Sequence, residues 1–342
     1  YIMEYKAMYN QERSVLKNHI PLAAPYVIHL ELTSFCNIRC EYCLHSLGRE
    51  RMLQKGHIFG IMDDVVLERV YESLRTFPVP VKKVVLGGIG EPTLYKNLSE
   101  VVARIKLSSP STKVGLITNG ILLNNELANK LIEAGLDEVK VSLQGLSDED
   151  YFEHCGAKID FNSFLLNLQY FFKHKGENTK LYVKIPSDYL LSKTEQQYYD
   201  IFKEHCDYVS VENLTNCFEL EKEKMQKFSL NADRFNIGYG RAVSVCAIPF
   251  YRMDVLCNGD ISLCNAARNV GFIIDETIIS DSLVDIWNGT TRKNFLLSVL
   301  RGASGDIPQI CTECFCRTSF AFKADYLDDC AEEISRRICV ID

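Results

Sequence analysis

The chain has 342 residues, of which 47% are hydrophobic and 24% are charged, and its formal net charge is −7. This is the composition of a globular protein that can bury a sizeable core without disulfide bonds. The acidic balance and the lack of a long Lys/Arg run argue against a nucleic-acid partner, and no run of about 18 apolar residues predicts a membrane span. Because residues 1–11 lack the apolar segment of a secretory signal, we expect a cytoplasmic protein.

Taken in chain order, the sequence begins with residues 3–18, which have the pattern of an amphipathic helix, and then alternates short apolar runs with segments of helical period. The apolar runs, each predicted to be a strand, are Val27–Thr33, Val81–Leu86, Val114–Thr118, Glu138–Leu143, Lys180–Ile185 and Tyr208–Val211. The helical segments between them are Asp63–Thr76, Leu98–Ser108, Asn125–Ala134, Asp160–His174 and Lys193–His205. This alternation predicts an α/β fold with parallel strands, a partial (β/α)6 TIM-like barrel whose site lies at the carboxyl ends of the strands.

The alternation stops near residue 218, and the rest of the chain is rich in cysteine. The predicted domains are an N-terminal helical arm (1–25), a (β/α)6 core (26–218), a linker (219–245) and a small cysteine-rich domain (246–342). Fourteen cysteines are unusual for a cytoplasmic protein, in which disulfide bonds are rare. Clustered cysteines in such a chain indicate metal binding.

The first predicted strand runs into a loop in which Cys36, Cys40 and Cys43 have the spacing C-x3-C-x2-C, with Tyr42 before the third cysteine. Three thiolates on a short loop can hold three irons of a [4Fe–4S] cluster and leave the fourth iron open to a small molecule. Electron-transfer clusters usually have four cysteine ligands, so this loop predicts a cluster that binds a substrate.

The loop resembles that of the radical S-adenosylmethionine (SAM) superfamily. The resemblance implies that the open iron binds SAM, that SAM is cleaved reductively to a 5′-deoxyadenosyl radical, and that Tyr42 lies beside the adenine. The turn Gly87-Gly88-Ile89-Gly90-Glu91-Pro92 after the second strand is similar to the motif with which this family binds the SAM amino group. Gly87, Gly88 and Glu91 match that motif, and which glycine has which task stays open.

Later strand ends match the family with less specificity. Asn119 ends the third strand, and Ser142 ends the fourth, where it would reach the ribose or carboxylate of SAM. Gln144 stands where many relatives have Asp and receives no role. Lys184 and Ile185, on the fifth strand, are expected near the SAM carboxylate and adenine.

Eight more cysteines lie between residues 246 and 339. They predict one or two iron–sulfur clusters, with a zinc site as the alternative because paired C-x2-C elements also suit zinc. The block resembles the SPASM/Twitch extension of radical SAM enzymes, which implies at least one auxiliary [4Fe–4S] cluster on Cys246, Cys264, Cys311 and Cys314. A second cluster would need ligands from the four remaining cysteines of this block, which are otherwise free thiols. They are Cys257, Cys316, Cys330 and Cys339.

The resemblance leaves the substrate open. The short segment before the first strand favours dehydrogenation of a small sugar, polyol or aminocyclitol, with the auxiliary cluster taking an electron; epimerisation or peptide modification is the alternative. Glu212 is the candidate proton acceptor and Cys217 a candidate thiol donor. An external one-electron reductant such as flavodoxin or ferredoxin is expected. A non-catalytic electron carrier is a further hypothesis, which the three-cysteine loop opposes.

Overall fold

The computed structural model describes residues 4–5, 13–190, 195–215, 225–264, 276–302, 307–312, 314–320 and 322–340. Its centre is one sheet with the strand order β1-β7-β6-β5-β4-β3-β2-β8-β9. The strands are β1 (Glu4–Tyr5), β2 (Val27–Leu30), β3 (Lys83–Leu86), β4 (Lys113–Thr118), β5 (Glu138–Ser142), β6 (Lys180–Pro186), β7 (Tyr208–Glu212), β8 (Arg252–Val255) and β9 (Ile261–Ser262). Neighbouring strands are parallel except for the antiparallel pair β8–β9. The predicted parallel α/β fold is confirmed, since β2 to β7 are the six strands predicted from the sequence.

Five of the helices that connect these strands coincide with those predicted, apart from small differences at their ends, and two shorter ones, Arg49–Gln54 and Asp148–Cys155, were not predicted. Those of the first part of the chain are α1 (Arg49–Gln54), α2 (Asp64–Thr76), α3 (Leu98–Ser108), α4 (Asn125–Glu133), α5 (Asp148–Cys155), α6 (Phe161–His174) and α7 (Glu195–Phe202). Those that follow are α8 (Ile248–Tyr251), α9 (Leu283–Asn288), α10 (Thr290–Leu300), α11 (Gln309–Thr312), α12 (Phe315–Thr318) and α13 (Ala331–Cys339). Within the described ranges, none of these helices has the length and apolar character needed to cross a membrane.

Helix α2 shows why the periodic segments become helices. The side chain of Asp63 accepts a hydrogen bond from the Val66 amide at 2.9 Å, which satisfies a donor that the first turn leaves unpaired. Val66, Val70 and Leu74 recur at a spacing of four residues and are buried against the sheet. The helix ends before Pro78, because the residue that precedes a proline is disfavoured in the helical conformation.

The predicted N-terminal helix is wrong in its described parts. Glu4–Tyr5 forms an edge strand that pairs in parallel with β7, and Leu16–Asn18 forms one turn of 3-10 helix. Pairing with β7 satisfies main-chain groups that the edge of the sheet would otherwise expose. Leu16 and Ile20 are buried in a hydrophobic cluster with residues from the C-terminal part of the chain, which an isolated arm would not provide.

The predicted boundaries at residues 219 and 246 do not coincide with a change of hydrophobic core. Met225 and Phe228, in the predicted linker, are buried in the main core, and so are Met253 and Trp287 beyond it. Strand β8 extends the main sheet by pairing with β2. The C-terminal part therefore continues the sheet and packs its own, smaller cluster beside it.

The parallel strands bring the predicted site residues to one edge of the sheet. The cysteine loop follows β2, the glycine-rich turn follows β3, and Asn119 follows β4 directly. Ser142 ends β5 and Glu212 ends β7. The carboxyl ends of parallel strands share one edge, which is where α/β enzymes bind their ligands.

Candidate active site and auxiliary cysteine site

The three-cysteine loop is held by the end of helix α5. The Arg39 amide donates to the Cys155 carbonyl at 3.0 Å, and the Glu41 amide donates to the His154 carbonyl at 3.1 Å. These bonds pair the loop with carbonyls that the last helical turn leaves free. Neither His154 nor Cys155 belongs to a sequence motif, so this anchor was not predicted.

The three thiols lie within electrostatic reach of one another. Cys40 is buried, whereas Cys36 and Cys43 are partly exposed. Burial raises the pKa of the Cys36 thiol to about 11. Burial also raises the pKa of Cys40, and the neighbouring thiols of Cys43 and Cys155 raise it further. Three soft thiol donors that repel one another when ionised fit a cationic iron centre, which would stabilise them as thiolates.

The glycine-rich turn lies directly on the cysteine loop. A Cβ atom on Gly90 would lie 2.0 Å from the Thr33 carbonyl oxygen and 2.7 Å from that of Phe35, so this close approach requires glycine. The Glu91 amide donates to the Phe35 carbonyl at 2.8 Å. Gly88, in contrast, is exposed, and its main chain is accessible to a ligand.

The Glu91 carboxylate joins the turn to the end of β4. Its Oε1 accepts from the Thr93 amide at 3.0 Å and from the Thr93 and Thr118 hydroxyls at 2.6 Å each. Its Oε2 accepts from the Asn119 amide at 2.8 Å. Four hydrogen bonds nearly fill the capacity of a carboxylate. Glu91 therefore positions the turn, and its predicted contact with SAM remains a prediction.

Asn119 and Gln144 connect the strand ends to the cysteine loop. The Asn119 amide nitrogen donates to Asn37 Oδ1 at 2.8 Å, next to Cys36. The Gln144 amide nitrogen donates at 3.2 Å both to the Tyr42 hydroxyl and to the Ser142 carbonyl. Gln144 thus orients Tyr42, a role that the sequence did not indicate because this residue departs from the family pattern.

An aromatic pair borders Tyr42. Its ring lies 6.0 Å from the ring of Tyr189, which stacks on His154 at 3.8 Å with an interplanar angle of 3°. His154 Nδ1 lies 2.7 Å from the Gln144 carbonyl oxygen. These residues form one wall of the site. They are far apart in the sequence, so only the folded structure identifies them as part of it.

Glu212, the last residue of β7, forms ion pairs with two cations. Its Oε2 lies 3.1 Å from Lys184 Nζ and 3.3 Å from Arg234 Nη2. Burial by itself would raise the pKa of Glu212, but the charges of Lys184 and Arg234 outweigh burial and lower that pKa. Glu212 is therefore ionised at neutral pH. Arg234 lies in the predicted linker and was not foreseen.

Replacing Lys184 with Met should lower the free energy of unfolding by about 2 kcal/mol at pH 7. A buried charge that loses every partner costs ~3–5 kcal/mol, and the cost here is smaller because Arg234 still pairs with Glu212. Without Lys184, only Arg234 opposes the effect of burial on Glu212, so the pKa of Glu212 rises. The deficit should shrink as the pH is lowered from 7 toward 5, because Glu212 then takes up a proton in the variant. Measuring the free energy of unfolding of the variant and of the wild type at several pH values tests this expectation. Lys203→Met, which removes an exposed ion pair with Asp200, should cost under ~1 kcal/mol.

Lys184 and Ile185, which are both predicted to lie near SAM, have different surroundings in the structure. Successive residues of a strand point to opposite faces of the sheet. Lys184 is partly exposed, whereas the Ile185 side chain is completely buried in the main core. That Ile185 lies near the adenine stays a prediction.

A cavity in the C-terminal part gathers the four cysteines predicted to hold the auxiliary cluster. The cysteines that line it are Cys246, Cys264, Cys311, Cys314 and Cys316. Burial raises the pKa of Cys246, and the thiols of Cys264 and Cys314 raise it further. Several thiols around one buried space have the donor chemistry of an iron–sulfur site.

The other cysteines lie elsewhere. Cys257 Sγ would contact a Cβ atom on Gly60 at 3.3 Å, beside the cysteine loop of the active site. Cys330 directly precedes α13, and Cys339 is the last residue of that helix and is exposed. Cys217 falls outside the described residues. Among the residues that the structure describes, no three His, Cys, Asp or Glu side chains surround a single metal-ion position.

Two family models match this chain. The model of the radical SAM superfamily matches residues 30–205, more than half of the chain, and the SPASM model, an iron–sulfur cluster-binding domain, matches residues 246–315. The chain belongs to the radical SAM superfamily and carries a SPASM domain. Its cofactors are accordingly SAM, a [4Fe–4S] cluster and auxiliary iron–sulfur clusters. The match to the SPASM model supports an iron–sulfur site rather than a zinc site in the C-terminal part.

Among curated proteins, the chain is 33% identical over 119 residues to the tungsten-containing aldehyde ferredoxin oxidoreductase cofactor-modifying protein of Pyrococcus furiosus, covering 35% of this chain and 31% of that one. It is 30% identical over 146 residues to a GTP 3′,8-cyclase of Staphylococcus epidermidis, covering 42% of this chain and 41% of that one. The matches thus span less than half the length of these relatives.

Solved structures share the fold over most of the chain. BtrN in complex with AdoMet and 2-DOIA covers 81% of this chain and 87% of its own, with 20% identity and a TM-score of 0.53. Streptococcus suis SuiB bound to precursor peptide SuiA covers 92% and 77%, with 17% identity and a TM-score of 0.61. Native anSMEcpe with bound AdoMet covers 92% and 96%, with 16% identity and a TM-score of 0.59.

Proposed function

We propose that this radical SAM enzyme dehydrogenates a small hydroxylated substrate, such as a sugar, polyol or aminocyclitol. In this reaction the substrate loses a hydrogen atom from carbon, a proton from the hydroxyl group on that carbon, and one electron. A carbonyl group forms as a result. The hydrogen atom goes to the 5′-deoxyadenosyl radical, the proton to a base, and the electron to a one-electron acceptor.

Cys36, Cys40 and Cys43 would hold the catalytic cluster, and the cysteines of the C-terminal cavity would hold the auxiliary one. When bound, these groups and SAM supply the 5′-deoxyadenosyl radical and the electron acceptor. The main chain around Gly88 would receive the amino acid part of SAM, and Tyr42, oriented by Gln144, would border its adenine. Asn119 keeps the cysteine loop in place through Asn37.

The observation that carries this proposal is the surplus of thiols in the C-terminal cavity. A [4Fe–4S] cluster needs one thiolate for each of four irons, and five cysteines line the cavity. A cluster with all its irons ligated by protein has no open iron for a substrate and serves to transfer electrons. An electron acceptor in the same chain as a radical site supports net oxidation of the substrate.

Glu212 is the proposed proton acceptor. Its lowered pKa keeps it ionised at neutral pH, so that it can accept a proton, and Lys184 stands ready to balance its charge. Its position at the carboxyl end of β7 places it at the same sheet edge as the cysteine loop. Cys217, the candidate thiol donor, has no described position, and its role as a donor stays a prediction.

The second candidate function is peptide modification. The likeness to peptide-bound SuiB extends over 92% of this chain, more than the likeness to BtrN. This supports a fold that is compatible with a peptide substrate. Epimerisation would need, in addition, a thiol near the substrate carbon.

The test uses enzyme reconstituted anaerobically with iron and sulfide, then supplied with SAM, dithionite and substrates deuterated at the carbon that carries the hydroxyl group. We expect about eight irons per chain, from two four-iron clusters. Deuterium should appear in 5′-deoxyadenosine together with a carbonyl product from a small polyol. Deuterium transfer only from peptides would favour the second candidate. In a parallel reaction of unlabelled substrate in deuterium oxide, deuterium in an inverted product would show epimerisation. A lack of SAM cleavage would contradict both candidates.

A further inference from the structure

A buried cation lies behind one wall of the auxiliary cavity. Arg292, on helix α10, is only 7% exposed. Phe295 and Val299, which follow it by one and two turns on the same face of α10, line the cavity. The Arg292 guanidinium donates to the Pro249 carbonyl at 3.1 Å, and Pro249 lines the cavity as well. The charge of Arg292 therefore lies directly behind residues that face the auxiliary site.

In the described part of the chain, Arg292 contacts main-chain carbonyls and an aromatic ring, and no carboxylate pairs with it. Its Nη1 donates to the Trp287 carbonyl at 2.9 Å, and its guanidinium carbon lies 3.3 Å from the centre of the Trp287 ring. Its Nε is buried and has no hydrogen-bond partner among these residues. Burial lowers the pKa of Arg292 to about 9, and no neighbouring charge of the described residues counteracts this effect. Arginine is almost never buried to this extent without a partner of opposite charge.

Arg252, which directly follows helix α8, shows the usual arrangement for a largely buried arginine. Its Nε and Nη2 donate to the two carboxylate oxygens of Asp254 at 2.6 and 2.9 Å. Buried charges in proteins are generally paired in this way or bind a metal ion. Arg292 has the carbonyl contacts of a buried arginine without the negative charge, which an anion bound in the adjacent cavity would supply.

A [4Fe–4S] cluster with four thiolate ligands is an anion, and one-electron reduction adds a further negative charge. The charge around such a cluster is one of the factors that set its reduction potential. Arg292 is also connected to a predicted ligand of this cluster. Its Nη2 donates to the Pro249 and Phe250 carbonyls of helix α8, and only Ala247 separates that helix from Cys246.

We propose that Arg292 is the counter-charge of the auxiliary cluster and raises its reduction potential. Arg292 is a positioning residue, since it touches neither the substrate nor SAM. Its charge favours the step in which one electron passes from the substrate radical to the auxiliary cluster while the proton goes to Glu212. This inference rests on the proposed function and on the assignment of the cavity as the auxiliary cluster site.

The test uses the anaerobically reconstituted chain in a Cys36/Cys40/Cys43→Ala background, in which only the auxiliary cluster is left. A redox titration followed by electron paramagnetic resonance gives the midpoint potential of that cluster. Arg292→Gln keeps amide donors for the carbonyls and removes the charge. We expect the equilibrium constant for one-electron reduction to fall at least ~10-fold, which corresponds to a midpoint potential about 59 mV more negative. The potential is measured without substrate, so this result does not depend on whether the substrate is a polyol or a peptide.

Two further variants are the controls. Arg292→Lys keeps the charge and loses the fork-shaped contacts and the stacking, so its reduction constant should stay within about threefold of the wild-type value. Arg301→Gln removes a charge from the exposed end of the same helix. Because solvent and salt screen an exposed charge, this constant should also change by less than about threefold.

A wild-type potential in Arg292→Gln would overturn the proposal. Equal shifts in Arg292→Gln and Arg292→Lys would do the same, because a merely structural role depends on the contacts and not on the charge. If Arg292→Gln binds no iron, retention of about four irons by Arg292→Lys supports the role of the charge, and loss of iron in both variants refutes it. Retention of the cluster in Cys246→Ala would instead refute the cavity as the cluster site.

Discussion

The Cys40→Ala variant is expected to lose 5′-deoxyadenosine formation completely and about four irons per chain. Cys40 is the buried member of the three-cysteine loop, and its thiol lies within electrostatic reach of Cys36 and Cys43. Removing it leaves two thiols on a loop that should hold three irons. The loss should exceed the ~10–100-fold effect of residues that only support a metal ligand. Iron and sulfide analysis, with chromatography of SAM cleavage products under dithionite, measures both effects.

Cys155→Ala is the matched control for this variant. Cys155 is also a buried cysteine beside the loop, and its thiol donates to the Tyr151 carbonyl at 2.9 Å. The contact with the loop uses the main chain of Cys155, which the substitution keeps. We therefore expect full iron content and SAM cleavage within about tenfold of wild type. Equal loss of iron in both variants would mean that general damage to the loop, rather than ligation by Cys40, explains the first result.

The second large effect is expected for Gly90→Ala. A methyl group at this position would overlap the Thr33 carbonyl oxygen, at 2.0 Å, and this neighbour is main chain that cannot rotate away. The turn must then move off the cysteine loop, which should cost about 3 kcal/mol or more, at the upper end for overpacked sites. Because the same movement displaces Gly88 and Glu91, SAM affinity should fall as well. Thermal unfolding and anaerobic calorimetry of SAM binding measure the two consequences.

Gly176→Ala provides the control for Gly90→Ala. A Cβ atom on Gly176 would meet only the Thr179 hydroxyl, at 3.8 Å, and the residue lies away from the sheet edge that carries the site. The free energy of unfolding of Gly176→Ala should stay within ~0.5 kcal/mol of the wild-type value, and the SAM affinity of this variant should not change. Normal SAM binding by Gly90→Ala would contradict the role of this close contact.

The local patterns of the sequence were enough for the fold class and for the two cysteine groups. Alternating apolar runs and amphipathic segments predict β2 to β7 with their helices, because burial on one face imposes a period that is visible in any single sequence. The spacing of Cys36, Cys40 and Cys43 likewise places three thiols on one loop without knowledge of the rest of the chain. The family model that matches residues 30–205 agrees with both predictions.

Local patterns failed where a residue acts through a partner far along the chain. Residues 4–5 become a strand because β7 offers them an unpaired edge, and helical periodicity cannot contain that information. The two cations on Glu212 come from β6 and from a segment predicted to be a linker.

Sequence alone thus determined the class of enzyme, since its iron-binding loop and the glycine-rich turn are contiguous segments with their own chemistry. Tertiary structure alone decided how these segments meet: Gly90 on the Thr33 carbonyl, Gln144 on Tyr42, and Cys316 among the thiols of the auxiliary cavity. The physical reason is that a ligand set or a hydrogen-bonded wall depends on distances between segments. Those distances follow from the packing of the whole chain, and no local pattern encodes them.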